Sequence, residues 1–113
     1  MKISTLLKSS AFAVAALSMV GAAAPASAQD GKAITTVVKI SGIPWFDRME
    51  TGVNKFAEQN PEMDIRQVGP ATADSAQQLQ IVQDLVATGV DALAVVPMDP
   101  DILEGILGRA MDR

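Results

Sequence analysis

The chain has 113 residues, 49% of them hydrophobic, with 13 acidic against 9 basic side chains and neither Cys nor His. Without Cys there is no disulfide framework, thiolate nucleophile, thiolate zinc site or lipid-modified cysteine. Without His there is no Ser-His-Asp triad, His-based metal site or histidine proton shuttle. A net charge of -4 argues against an extended basic surface for nucleic acid, and one Trp, three Phe and no Tyr leave few stacking platforms.

Residues 1-28 read as a helical signal peptide. Lys2 and Lys8 supply positive charge, and Ser9 to Ala24 are uncharged and dominated by Ala, Val, Leu, Phe and Met. Pro25 then breaks the run, and Ala26-Ser27-Ala28 offers small residues for cleavage before Gln29. The uncharged stretch is shorter and more alanine-rich than the roughly 20 apolar residues of a spanning helix. Cleavage after Ala28 sends the remainder to the periplasm with no membrane anchor. The leader holds two of the nine basic residues and none of the acidic ones, so residues 29-113 carry a net charge of -6. They make a single small domain at most, at home in a bacterial periplasm despite having no disulfide.

Downstream, a strand-helix pattern repeats about every thirty residues. Ala33 to Ile40 is rich in β-branched residues, Met63 to Val68 alternates loosely, and Ala92 to Val96 is a pure apolar run. The first helix spans Pro44 to Gln59, with Met49, Val53, Phe56 and Ala57 as its apolar face. Pro44 suits its first turn, and Asn60-Pro61 ends it. A second helix covers Ser75 to Thr88 with Leu79, Val82 and Val86 on one face, an Asp74-x-x-Gln77 capping pair and Gly89 as left-handed cap. Gln77, Gln78, Gln80 and Gln83 read as its solvated face. A third helix starts at Pro100, capped by Asp99 and weakened by Gly105 and Gly108.

The order βαβαβα predicts an α/β fold with an open parallel sheet. The polar Asp64, Arg66 and Gln67 suit an edge, giving the strand order 2-1-3. Strand 3 then has an unpaired side although it is the most apolar, so the chain reads as cut short.

In such sheets ligands bind outside the carboxyl ends of the strands. Three loops qualify: 41-46, 69-72 and 97-100. Lys39 near the end of strand 1 can donate hydrogen bonds to hydroxyls, and Trp45-Phe46 can stack on the C-H face of a sugar. The simpler roles are a solvated lysine, one aromatic packed under the helix, and Asp99 as a cap. No G-x-G-x-x-G or P-loop follows strand 1, and no metal-ligand spacing or G-x-S-x-G nucleophile turn appears. The composition therefore calls for no cofactor and no metal, and no enzyme.

Three stretches carry a family resemblance: VVKISGIPWFDRMETGV (37-53), QLQIVQDLVATGVDALAVVP (78-97) and DPDIL (99-103). Through them the chain resembles the N-terminal portion of a periplasmic sugar-binding protein of an ABC transporter. The likeness is to the ribose-binding type, in the branch with autoinducer-2-binding and rhamnose-binding proteins. It implies that residues 29-113 form part of the N-terminal lobe of a type I periplasmic-binding-protein fold. It also implies that Trp45 and Phe46 are the family's aromatic pair, that Lys39 is a ligand-contacting lysine, and that the Met98-Asp99 loop borders the cleft. Ribose-binding relatives carry an asparagine where Ile43 stands, which counts against ribose. The implied partners are a sugar or sugar-like small molecule and the ABC permease subunits, with a monomer at full length. The family's opposing lobe lies beyond Arg113, so the chain alone is expected to bind poorly. The competing function is an exported sensory module feeding a chemoreceptor or sensor kinase.

Overall fold

The computed structural model describes residues 31-113; the expected signal peptide and cleavage site lie outside the described residues. Six elements alternate: β1 (Ala33–Val37), α1 (Pro44–Gln59), β2 (Asp64–Val68), α2 (Ser75–Thr88), β3 (Ala92–Val95) and α3 (Pro100–Met111). The strands form a parallel sheet in the order β2-β1-β3, with Thr35 opposite Arg66 on one side and Leu93 on the other. Right-handed crossovers running left to β2 and then right to β3 require helices on opposite faces of the sheet.

The core lies on the α2-α3 face, where Val37, Val82, Leu85, Val86, Leu103 and Ile106 form one buried cluster. On the other face α1 buries only Phe46, and Val38 at the end of β1 is fully buried. The stripe that α1 turns inward is Phe46, Met49, Val53 and Ala57. Phe56, expected on this stripe, is 48% exposed. At about 100° per residue it falls to one side of that line, on the same flank as Trp45 three turns earlier.

Helix ends follow local chemistry. Asp74 Oδ1 accepts from the amides of Ala76 (2.9 Å) and Gln77 (3.0 Å), and Gly89 closes α2 with φ 83°. Only the Asp74 half of the expected capping pair forms among these bonds. Asp99 Oδ1 accepts from the amide of Asp101 (3.1 Å) and so caps α3, which runs through both glycines because Leu103 and Ile106 anchor it. At the opposite end of the sheet, Asp91 ties β3 to β1: its Oδ2 accepts from the Ala33 amide (2.7 Å) and its Oδ1 pairs with Lys32 (3.3 Å). The Ala33 amide, and then Lys32, hold the Asp91 carboxyl below its ordinary value.

All three strands are shorter than their composition suggests, β3 by the single residue Val96. β2 begins at Asp64 because the Met63 amide is taken by a turn to the Asn60 carbonyl (3.0 Å). β1 ends at Val37, three residues before Ile40. Its far edge neighbour, β3, is apolar but little covered: Ala92 and Ala94 are exposed, and Leu93 and Val95 are half-buried.

Candidate functional site

The loop after β1 leads to a helix on one face and the loop after β3 to a helix on the other. The point between β1 and β3 is therefore where the connections part, the usual place for a ligand in an open parallel sheet. In chain order Lys39 follows β1, Trp45 and Phe46 open α1, and Asp99 follows β3.

Lys39 stands exposed just past the end of β1. Beyond it the chain is drawn towards β2: the Ser41 amide donates to the Pro70 carbonyl (2.9 Å) and its hydroxyl to the Gly69 carbonyl (3.0 Å). Gly69 permits this approach, because a Cβ there would lie 2.7 Å from Val38 Cγ2 and 2.9 Å from the Val38 carbonyl oxygen. Gly42 then turns the chain with φ 76°, a conformation that favours glycine. Ile43 is extended, and Pro44 starts α1 with its fixed φ and its missing donor.

The aromatic pair is split by the helix. Trp45 is 76% exposed, whereas Phe46 is 6% exposed and packs inward. Trp45 therefore has the free ring face, and Phe46 seats the first turn of α1. The Phe46 carbonyl accepts from Gln67 Nε2 (2.9 Å), which fixes that turn to β2. A shallow hollow of about 220 Å³ lies between Trp45, Arg48 and Met49, bringing a guanidinium to the rim. Arg48 follows Trp45 by three positions on a helix, a spacing from which this neighbour was readable.

On the other side of the crevice, Asp99 is half-buried with one carboxylate oxygen committed to the start of α3. Gln78 overturns the reading of the glutamines as a solvated face: it is completely buried. Its Nε2 donates to the carbonyls of Val38 (3.1 Å) and Val96 (2.9 Å), and its Oε1 accepts from the Met98 amide (2.8 Å). The signal was present, since Gln78 sits one turn before Val82 on the buried stripe.

A concavity of about 730 Å³ lies elsewhere. It runs along the unpaired edge of β3, between Val86, Leu93, Val95, Leu107 and Met111. Its walls are strand edge and aliphatic side chains, and its charged lining residues are already engaged, Asp91 with Ala33 and Lys32 and Arg113 with the Val86 carbonyl, so it marks an uncovered edge. Among the described residues no cluster of acidic side chains could hold a metal ion, and no helix is long and apolar enough to cross a membrane.

Residues 34-113 match the family described as a periplasmic binding protein domain. No curated protein matches the chain. Solved structures do. LsrB from Clostridium saccharobutylicum in complex with AI-2 is 25% identical (TM-score 0.65), over 71% of this chain and 24% of that one. An ABC transporter solute-binding protein from Burkholderia graminis in complex with D-arabinose is 26% identical (TM-score 0.63), over 72% and 27%. A 5-methylthioribose transporter solute-binding protein from Thermotoga lettingae, 23% identical with a TM-score of 0.61, shares the fold over 72% and 25%. The chain thus spans about a quarter of the length of each.

Proposed function

The chain belongs to the periplasmic binding protein domain family, and from that membership we propose that it captures a sugar or sugar-like molecule in the periplasm for an ABC importer. Proteins of this family bind ligands for transport and are not enzymes. The observation that supports the reading is the exposure of Trp45 in the first turn of α1, the helix that follows the carboxyl end of β1. An indole face held there stacks on the apolar C-H face of a pyranose or furanose. Lys39, past the end of β1, donates to hydroxyls, and Phe46 seats the helical turn that bears Trp45. Asp99, with one oxygen engaged in capping, borders the ligand and offers its other oxygen as an acceptor. Delivery of the ligand to permease subunits in the membrane completes the role. The D-arabinose and AI-2 bound by two of the similar structures are small polyhydroxylated or sugar-like ligands, in keeping with this chemistry.

Calorimetric titration of the intact protein with D-arabinose and other pentoses tests the proposal. Trp45→Ala is expected to weaken binding at least tenfold, equivalent to about 1.4 kcal/mol. Its melting temperature should stay close to that of the parent, since the side chain is mostly exposed. Equal affinities for the two proteins would remove Trp45 from the site.

A further inference from the structure

We propose that Gln78 is a positioning residue for this corner: its side-chain amide takes the place of a backbone peptide between β1 and β3 and thereby holds the crevice open. The proposal rests on the ligand-binding reading above.

The register makes the substitution explicit. Val37 lies opposite Val95, and the Val96 amide donates to the Val37 carbonyl (2.8 Å), which is the last backbone rung between the two strands. In a regular parallel ladder the next rung would join the Lys39 amide to the Val96 carbonyl, and the Lys39 carbonyl to the Met98 amide. Gln78 occupies both positions. Its Nε2 donates to Val96 and its Oε1 accepts from Met98, as the N-H and C=O of Lys39 would have done. The second Nε2 hydrogen goes to the Val38 carbonyl.

Each polar atom of this buried side chain is thus satisfied, as burial requires. The backbone of Lys39 is released from β3 and follows Ser41 towards Gly69 and Pro70. One amide therefore sets how far apart the loops bearing Lys39 and Met98-Asp99 stand.

Amide hydrogen exchange on the intact protein supplies the first test, with no substitution needed. The Met98 amide is expected to be protected, and the Lys39 amide to exchange at least tenfold faster than it. The second test uses Gln78→Met, which keeps the length and volume but cannot form the bonds. Lys39 is then free to close onto β3, so its amide should gain protection and the affinity for D-arabinose should fall at least tenfold per folded molecule. Overturning outcomes are a Met98 amide that exchanges like an open loop, or a Gln78→Met protein that binds as the parent does. If Gln78→Met does not fold, the parent's exchange pattern decides alone. If the parent itself takes up no pentose, the sugar reading fails, and the exchange pattern still decides the role of Gln78.

Discussion

The two faces of the sheet are built differently. Beneath α2 and α3 lies a continuous aliphatic cluster in which Leu103 is 1% exposed and Val37 and Val82 are fully buried. Beneath α1 only Phe46 and Val38 are buried, and the helix leaves Trp45 and Phe56 in solvent. The first face concentrates the hydrophobic stabilisation, at about 25 cal/mol for each Å² of apolar surface removed from water. The second carries the exposed aromatic and is fastened mainly by hydrogen bonds through Gln67 and Ser41. The aliphatic core and the exposed aromatics are thus largely separated by the sheet.

The largest effect that could break this contrast is expected at Leu103. Leu103→Ala removes a buried side chain from the cluster and should cost about 2-5 kcal/mol in urea unfolding. An equal loss from Phe56→Ala on the opposite face would contradict the asymmetry. Gly69→Ala comes next: the new methyl group meets Val38 and Ser41, and overpacking of this kind costs about 1-3 kcal/mol. Because the clash falls where Ser41 is clasped, ligand affinity should fall along with stability. In the opposite direction, Gly108→Ala at an exposed position of α3 meets nothing within 4 Å and should stabilise by about 0.5-1 kcal/mol.

The smallest effect concerns acid. The Asp91 carboxyl is held below its ordinary value by the Ala33 amide and by Lys32. Its contribution is therefore present above the unfolded carboxylate range and disappears as the pH falls through the lowered value. The melting-temperature gap between the parent and Asp91→Asn should narrow on acidification below about pH 4. A gap that stays constant between neutral and acid pH would show that Asp91 acts through shape alone.

Much of this architecture is legible in the residues. Period-2 and period-3.6 patterns, Pro44, Asn60-Pro61, Asp74, Gly89 and Asp99-Pro100 mark where elements begin and end. The polar character of Asp64–Val68 puts that strand at an edge, and the order β2-β1-β3 follows. The corner itself was legible as a set of loops, because topology alone brings strand ends together. What escaped depends on polar groups used as core. Gln78 looks solvated because glutamine usually is, and only its alignment with Val82 hints otherwise. The early end of β1 is invisible for the same reason, since a side chain from another element takes over the ladder. Which of two adjacent aromatics turns inward depends on where α1 rests on β2, and composition does not encode that contact.

The stretch from Ser41 to Phe46 has a further consequence. It is a short bracket bolted at both ends to the same edge strand and its exit loop, by the Ser41 hydroxyl at one end and the Phe46 carbonyl at the other. The four residues between the bolts bear no sheet rungs. Exchanging Ile43 or Trp45, while keeping Gly42 for its turn and Pro44 for the start of α1, should alter what the bracket presents without moving its mounting.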